Sequence, residues 1–189
     1  MNRDRVAAFF STVLHPLAVP VPAGLIILAL SGHPFPAALK WVSVTAAAVV
    51  LPLLLTVSYL ERYRGLDTDE RAPRNRLYLF GLLCMAGAIV LLEHLGGPAI
   101  LLESMETGII AGLAGAVVNL RTKISLHAGV IAGATSMIYS VEPVAGLATG
   151  IAAAAVGWSR IKLDHHTPVQ VALGFLVPVL AAAIVFSTL

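Results

Sequence analysis

Two histidines and an arginine of this sequence lie at the ends of apolar stretches, where a charged or polar side chain is costly unless it has a role. His127 follows Lys123 and Ser125, while Arg160 and His166 are six positions apart, just before the last apolar stretch. Guanidinium groups bind phosphate oxygens bidentately. Imidazole can attack phosphorus or transfer a proton to a leaving oxygen. This combination of residue types indicates a site for a phosphate ester.

The chemically useful side chains fall into three polar clusters, each between two apolar stretches. The first is rich in arginine, the second opens an apolar stretch with a basic residue and a histidine, and the third combines a basic segment with paired histidines. The candidate site residues are Arg64, Arg71, Arg74, Lys123, Ser125, His127, Ser159, Arg160, Asp164, His166 and Gln170.

The composition indicates a membrane protein. Of 189 residues, 58% are hydrophobic and only 12% are charged, about half the charged fraction of a soluble domain. Apolar runs without strand-like alternation predict membrane-spanning helices. The runs are residues 7–30, 37–60, 77–95, 99–120, 125–141, 143–159 and 168–189. We therefore expect an all-α, polytopic transmembrane helical bundle of six to seven spans, forming a single membrane domain over residues 1–189. The last three runs are rich in Gly and Ala, which predicts close packing among them.

The basic residues indicate on which side of the membrane the clusters lie. If all the runs cross, every Lys and Arg except Lys40 falls on the same side as the N-terminus, and so do the three polar clusters. Basic loops face the cytoplasm in most membrane proteins. The sequence therefore predicts a multi-pass protein of a prokaryotic inner membrane, with the site on its cytoplasmic face.

Two of the clusters resemble motifs of the type 2 phosphatidic acid phosphatase superfamily, a family of membrane lipid phosphatases. Ser159, Arg160 and His166 match the first three fixed positions of S-R-x5-H-x3-D. Ser125 and His127 match the Ser and His of P-S-G-H. The two motifs also occur in the order usual for that family.

The first cluster is similar to the remaining motif, K-x6-R-P. Arg64 stands at the Lys position, Arg71 at the Arg position and Ala72 at the Pro position. In the second motif, Ile124 and Leu126 replace the usual Pro and Gly. The resemblance covers residues 64–189 and is closest to a compact, divergent branch of the superfamily.

The resemblance implies a phosphatase that works in two steps without a metal or other cofactor. His166 would attack phosphorus and form a phosphohistidine, and His127 would protonate the leaving alkoxide and later activate water. Arg160 would act with them on the transferring phosphoryl group. The phosphate-binding residues implied are Arg64, Arg71, Arg74, Lys123, Ser125 and Ser159. The implied substrate is a lipid monophosphate or diphosphate.

One departure concerns the carboxylate that orients the nucleophilic histidine in the family. Gln170 stands at that position, and its carbonyl oxygen can accept a hydrogen bond but carries no charge. The orienting carboxylate could instead be Asp164, Asp67 or Asp69.

Other functions fit the same residues. A non-catalytic relative would bind or move phospholipids with the same anion pocket, and a transferase would pass a phosphoryl or prenyl group to an acceptor other than water. Asp67 and Asp69 also fit a magnesium-diphosphate site, although a second such pair is missing from the sequence. The expected partners are membrane lipids and the lipid phosphate, with no nucleic acid, and a homo-oligomer is left open.

Overall fold

The structure, a computed structural model, describes residues 3–64 and 71–187, with the side chains of all of these except residues 64 and 71–74. Within these ranges every regular element is helical, which confirms the all-α prediction. A π-helical segment, Ala46–Val50, joins the third and fourth helices. The helices are α1 (Arg3–Val13), α2 (Pro20–Leu30), α3 (Phe35–Thr45), α4 (Leu51–Arg64), α5 (Arg71–Leu95), α6 (Ala99–Arg121), α7 (Leu126–Val141), α8 (Pro143–Lys162) and α9 (Pro168–Phe186).

Five helical stretches are long and apolar enough to cross a membrane, as expected of an integral membrane protein. Two further apolar helices, α2 and α7, are shorter than a typical span. By length alone the described residues therefore give fewer spans than the six to seven predicted. The long stretches are Phe35–Tyr63, Asn75–Leu95, Ala99–Arg121, Pro143–Lys162 and Pro168–Phe186.

The first apolar run forms two helices rather than one continuous helix over residues 7–30. Pro16 disfavours helical geometry at His15 and has no N–H to donate. The His15 carbonyl instead accepts hydrogen bonds from the N–H groups of Ala18 (2.8 Å) and Val19 (3.1 Å). A turn thus separates α1 from α2, and Val19 is buried in the bundle.

The second apolar run is continuous but changes its helical form in the middle. The π-helical segment Ala46–Val50 comes just before Pro52. Proline cannot donate to the carbonyl one turn earlier, and one-turn π segments accommodate such interruptions. The interruption lies where this run lines the central cavity described below.

Helix α7 packs most closely against α8 and α9. A Cβ atom at Gly129 would lie 3.5 Å from the Gly174 carbonyl oxygen, and one at Gly133 would lie 3.5 Å from Cβ of Pro178. Since Pro178 has no N–H, the Gly174 carbonyl also lacks its usual partner within α9. Small residues thus let the α7 and α9 backbones approach, as their abundance in the sequence predicted.

The outer surface of α8 is apolar, as a lipid-facing helix requires. Val144, Leu147 and Ile151 follow one another at helical spacing and are 72%, 67% and 74% exposed. In water such a row of large apolar side chains would be unfavourable, whereas hydrocarbon solvates it without cost.

Two glycines of α8 give a matched test of the helix packing. A Cβ atom at Gly146 would overlap the backbone of Tyr139, whereas one at Gly150 would meet nothing within 4 Å. We expect Gly146→Ala to destabilise the protein by about 1–3 kcal/mol, because the α7–α8 hairpin must open. Gly150→Ala should be neutral, or stabilising by up to about 1 kcal/mol. Thermal unfolding in detergent measures both, and equal midpoints for the two variants would contradict this packing.

Candidate functional site

The second and third polar clusters meet because helix ends from distant parts of the chain lie side by side. The Ser125 N–H donates to the Gln170 carbonyl oxygen (3.3 Å), which joins the start of α7 to the first turn of α9. A Cβ atom at Gly174 would lie 2.8 Å from the Ser125 carbonyl oxygen, so only glycine permits this approach. At the same end, the side-chain Nδ2 of Asn119 in α6 donates to the side-chain Oδ1 of Asn75 in α5 (2.7 Å).

His166 is buried, and its ring is held by Gln170. The Gln170 Oε1 atom lies 3.3 Å from the Thr167 backbone nitrogen and 3.0 Å from His166 Nδ1. A backbone N–H can only donate, so the amide atom facing it must be the oxygen. The same oxygen therefore accepts from Nδ1–H of His166. The neutral imidazole consequently carries its lone pair on Nε2, the nitrogen required for nucleophilic attack.

The Gln170 side chain also belongs to the helix cap. Thr167 is the N-cap of α9, and its hydroxyl accepts from the Gln170 N–H (3.3 Å) while Oε1 accepts from the Thr167 N–H. This reciprocal capping box satisfies backbone donors that the first helical turn leaves unpaired. The residue that orients His166 is thus itself fixed by the helix that it begins.

Arg160 is buried at the end of α8, with only 4% of its surface exposed. Its Nη1 donates to the Ser11 hydroxyl of α1 (2.8 Å). Its carbonyl oxygen accepts from the backbone N–H groups of His165 and His166, each at 3.2 Å. Asp164 makes this tight turn possible by adopting a positive φ of 56°. The turn brings His166 back towards the helix that carries Arg160.

His127 lies in the first turn of α7, behind an N-cap. The Ser125 hydroxyl accepts from the Ala128 N–H (3.4 Å), and Ser125 is fully buried. The His127 ring meets the ring of His15 edge to face, with centroids 5.2 Å apart. Serine caps the helix as its residue type predicts, and the cap places His127 beside the turn between α1 and α2.

One cavity of about 860 Å³ connects these groups. Its polar end is lined by Ser125, His127, Arg160 and His166, and also by Ser11, His15 and His165. From there it extends between the helices to apolar residues at the other end of the bundle, among them Ile27, Val42, Leu101 and Met105. The cavity therefore combines a polar, hydrogen-bonding end with a largely apolar interior, and the carboxylate residue Glu61 also belongs to its lining.

Other predicted site residues lie apart from the cavity lining. The Ser159 hydroxyl is buried and donates to the Val156 carbonyl oxygen of its own helix (2.8 Å). Lys123 is half-buried and Asp164 is exposed. Of the two described residues predicted to orient His166, Gln170 has its side-chain oxygen at hydrogen-bond distance from the ring.

The arginine-rich cluster falls largely outside the described residues. The side chains of Arg64, Arg71 and Arg74 are not described, and neither are Asp67 and Asp69. The phosphate-binding and magnesium-site hypotheses for these residues therefore stay predictions. Among the described residues, no group of three or more His, Cys, Asp or Glu side chains has an arrangement that could hold a metal ion.

Two contacts at the site lie outside the sequence motifs. Ser11 and Arg160 are 149 positions apart in the sequence, so no local spacing connects them. In the sequence, His15 is marked only by its place before Pro16, near the start of the first run. Its contact with His127 depends on the turn that breaks this run.

No protein-family model matches the chain, and neither a curated protein nor a solved structure matches it. The resemblance to membrane lipid phosphatases therefore stays an expectation from the motif residues.

The Gln170 side chain provides a test of the site geometry that does not depend on any activity. Gln170→Leu removes the acceptor for both the Thr167 N–H and the His166 ring. We expect a loss of about 1 kcal/mol in stability, a typical value for a helix cap, and faster amide exchange across residues 163–168. Gln170→Glu keeps an acceptor oxygen and should exchange like the wild type at neutral pH. Hydrogen–deuterium exchange with mass spectrometry measures both, and unchanged exchange in Gln170→Leu would contradict the cap.

Proposed function

We propose that this protein is a membrane-embedded lipid phosphatase that hydrolyses a lipid phosphate or diphosphate through a phosphohistidine intermediate. The observation that carries the proposal is that His127, Arg160 and His166, all matched by the motif resemblance, line the polar end of one cavity. Each group has a distinct part in phosphoryl transfer, and the chemistry requires no cofactor.

His166 is the nucleophile in this proposal. Its Nδ1–H is held by the Gln170 oxygen, which leaves the Nε2 lone pair to attack phosphorus. As the N–P bond forms, the P–O bond to the lipid breaks. Gln170 fixes the tautomer and orientation of the ring, but it adds no negative charge beside the phosphohistidine.

His127 transfers the proton in both steps. It donates a proton to the leaving lipid alkoxide, and the lipid alcohol departs. It then removes a proton from a water molecule that attacks the phosphohistidine, so that the N–P bond breaks and inorganic phosphate leaves. The product of the second step is the enzyme with both histidines in their starting protonation states.

Arg160 binds the phosphate and stabilises the charge on the transferring group. A guanidinium that is almost fully buried interacts strongly with an anion, because little water screens the pair. Ser125 lines the same end of the cavity, at the start of α7, where the helix dipole favours an anion. Arg64, Arg71, Arg74 and Lys123 would add further positive charge around the entrance.

The apolar part of the cavity favours a lipid phosphate, rather than a water-soluble phosphate ester, as the substrate. Its volume of about 860 Å³ lies within the range of small-molecule sites. Residues from the described helices on all sides line it, and its apolar residues continue to the start of α6. We infer that part of the lipid tail enters the bundle while the phosphate lies against Arg160.

We also propose that α1 and α2 together cross the membrane, as α7 does, which gives seven crossings. The site then lies at the cytoplasmic face of a prokaryotic inner membrane, where the excess of basic residues belongs. The contacts between the starts of α7 and α9 support a shared end for the motifs.

The first test measures phosphate release. Purified wild type in detergent should release inorganic phosphate from a short-chain lipid phosphate in the presence of a chelator, and His166→Ala should reduce release to the uncatalysed rate. His94→Ala, at an exposed position in the last turn of α5, is the matched control and should keep wild-type activity. In a His127→Ala background, a nitrophenyl phosphate, whose leaving group departs without a proton, should leave acid-labile phosphate on the protein.

Two results would redirect the assignment. If the protein binds lipid phosphates but releases no phosphate from any of them, the non-catalytic binding function is favoured, and the uncharged Gln170 beside His166 provides its physical reason. If phosphate or a prenyl group passes only to an added alcohol acceptor, the protein is a transferase.

Sidedness can be tested at the two ends of one helix. Arg76 and His94 are both exposed and lie near opposite ends of α5. In a Cys84→Ser background, Arg76→Cys should react with an impermeant thiol reagent only in inverted membrane vesicles, and His94→Cys only in spheroplasts. The reverse labelling pattern would place the site on the outer face.

A further inference from the structure

The N-terminal segment contacts the site at two points that the motif resemblance does not include. Ser11 of α1 accepts a hydrogen bond from Arg160, and His15 of the following turn meets the His127 ring. We propose that Ser11 and His15 are positioning residues for Arg160 and His127. This inference rests on the proposed phosphatase function and adds residues to its site.

Ser11 faces α8 because of its place on α1. Asp4, Ala7 and Ser11 are spaced three and four positions apart, so they lie on one face of the helix. Ala7 is fully buried, Ser11 is 8% exposed, and the Asp4 carboxylate pairs with Lys162 at the end of α8 (2.9 Å). The exposed ion pair contributes little energy. Together, however, these contacts fix the position of Ser11 along α8, beside Arg160.

The hydrogen bond to Ser11 fixes the plane of the Arg160 guanidinium. Arg160 reaches the cavity from the last turn of α8, and its long side chain has many rotamers. A hydroxyl acceptor on Nη1 removes that freedom before any anion arrives. A preformed guanidinium fork binds a phosphate with less loss of entropy. Ser11 therefore acts on the affinity for the phosphate group.

His15 is itself held in one orientation. The Leu17 backbone N–H donates to its Nδ1 (3.2 Å), so the neutral ring carries its hydrogen on Nε2. The ring stands at 86° to the ring of His127, with centroids 5.2 Å apart. This contact limits rotation of His127, the group that transfers the proton. His15 therefore acts on the chemical step rather than on the affinity for phosphate.

The test of Ser11 compares variants that differ in one oxygen. Ser11→Ala should raise the KM for a short-chain lipid phosphate about tenfold, the loss typical of a hydrogen bond to a charged group, with a smaller change in kcat. Ser11→Thr keeps the hydroxyl and should restore most of the affinity. Ser140→Ala removes an exposed hydroxyl at the other end of α7 and should leave activity unchanged. In an Arg160→Lys background, Ser11→Ala should cause little further loss, because the two residues act as one unit.

The test of His15 uses the leaving group. His15→Ala should lower kcat several-fold for a lipid alcohol leaving group, with little change in KM, because a misplaced His127 donates its proton poorly. For a nitrophenyl phosphate, whose leaving group departs without a proton, the loss should be much smaller in the first-turnover burst of nitrophenol, which measures formation of the phosphohistidine before His127 has to activate water. His94→Ala is the matched control. Equal losses with both substrates would reduce His15 to a structural role and overturn its assignment.

The outcomes separate this inference from the proposed function. An active wild type with a wild-type KM in Ser11→Ala refutes the positioning role of Ser11 and leaves the phosphatase intact. If the wild type is inactive, the dissociation constant of a non-hydrolysable short-chain lipid phosphonate replaces KM, and Ser11→Ala should weaken it about tenfold. A wild type that neither hydrolyses nor binds these lipids overturns both proposals. Thermal unfolding of each variant identifies losses that arise from misfolding.

Discussion

The close approach of α7 and α9 at Ser125 and Gly174 determines where the His127 and His166 side chains can meet. The Ser125 N–H bonds to the Gln170 carbonyl, and the absence of a side chain at Gly174 leaves room for the Ser125 carbonyl. The N-cap that begins α7 and the capping box that begins α9 are therefore parts of one joint. His127 and His166 reach the same cavity because each lies within a few residues of that joint.

The interruptions in the first two apolar runs shape the cavity that this joint faces. A straight helix over the first run would lack the turn that carries His15, and a regular helix through the second would lack the π segment beside Pro52. Both irregularities arise where proline cannot donate a backbone hydrogen bond. Backbone groups freed in this way are tolerated at membrane depth where they are buried in protein or line a cavity, and the lining residues include members of both segments.

Gln170 supplies a hydrogen bond at the position where the phosphatase motif would have a charged carboxylate. A carboxylate beside a histidine nucleophile would both orient the ring and stabilise its positive form, whereas the amide only orients it. In the proposed chemistry the buried Arg160 supplies the positive charge for the phosphate. The chemistry proposed here therefore depends on positioning at His166 and on positive charge from the arginine, two functions that different residues carry.

The sequence by itself determined the helical class, the membrane setting, and the residues whose chemistry suits a phosphate ester. These properties depend on composition, on runs of apolar residues and on spacing within a few turns, all of which are local.

Only the tertiary structure decided that the Gln170 side chain holds His166 and that Ser11 reaches Arg160. Several residues could satisfy each of these hydrogen bonds, and local spacing does not choose among them. The choice depends on which helix ends pack together, and that packing is the sum of many weak contacts between residues far apart in the chain.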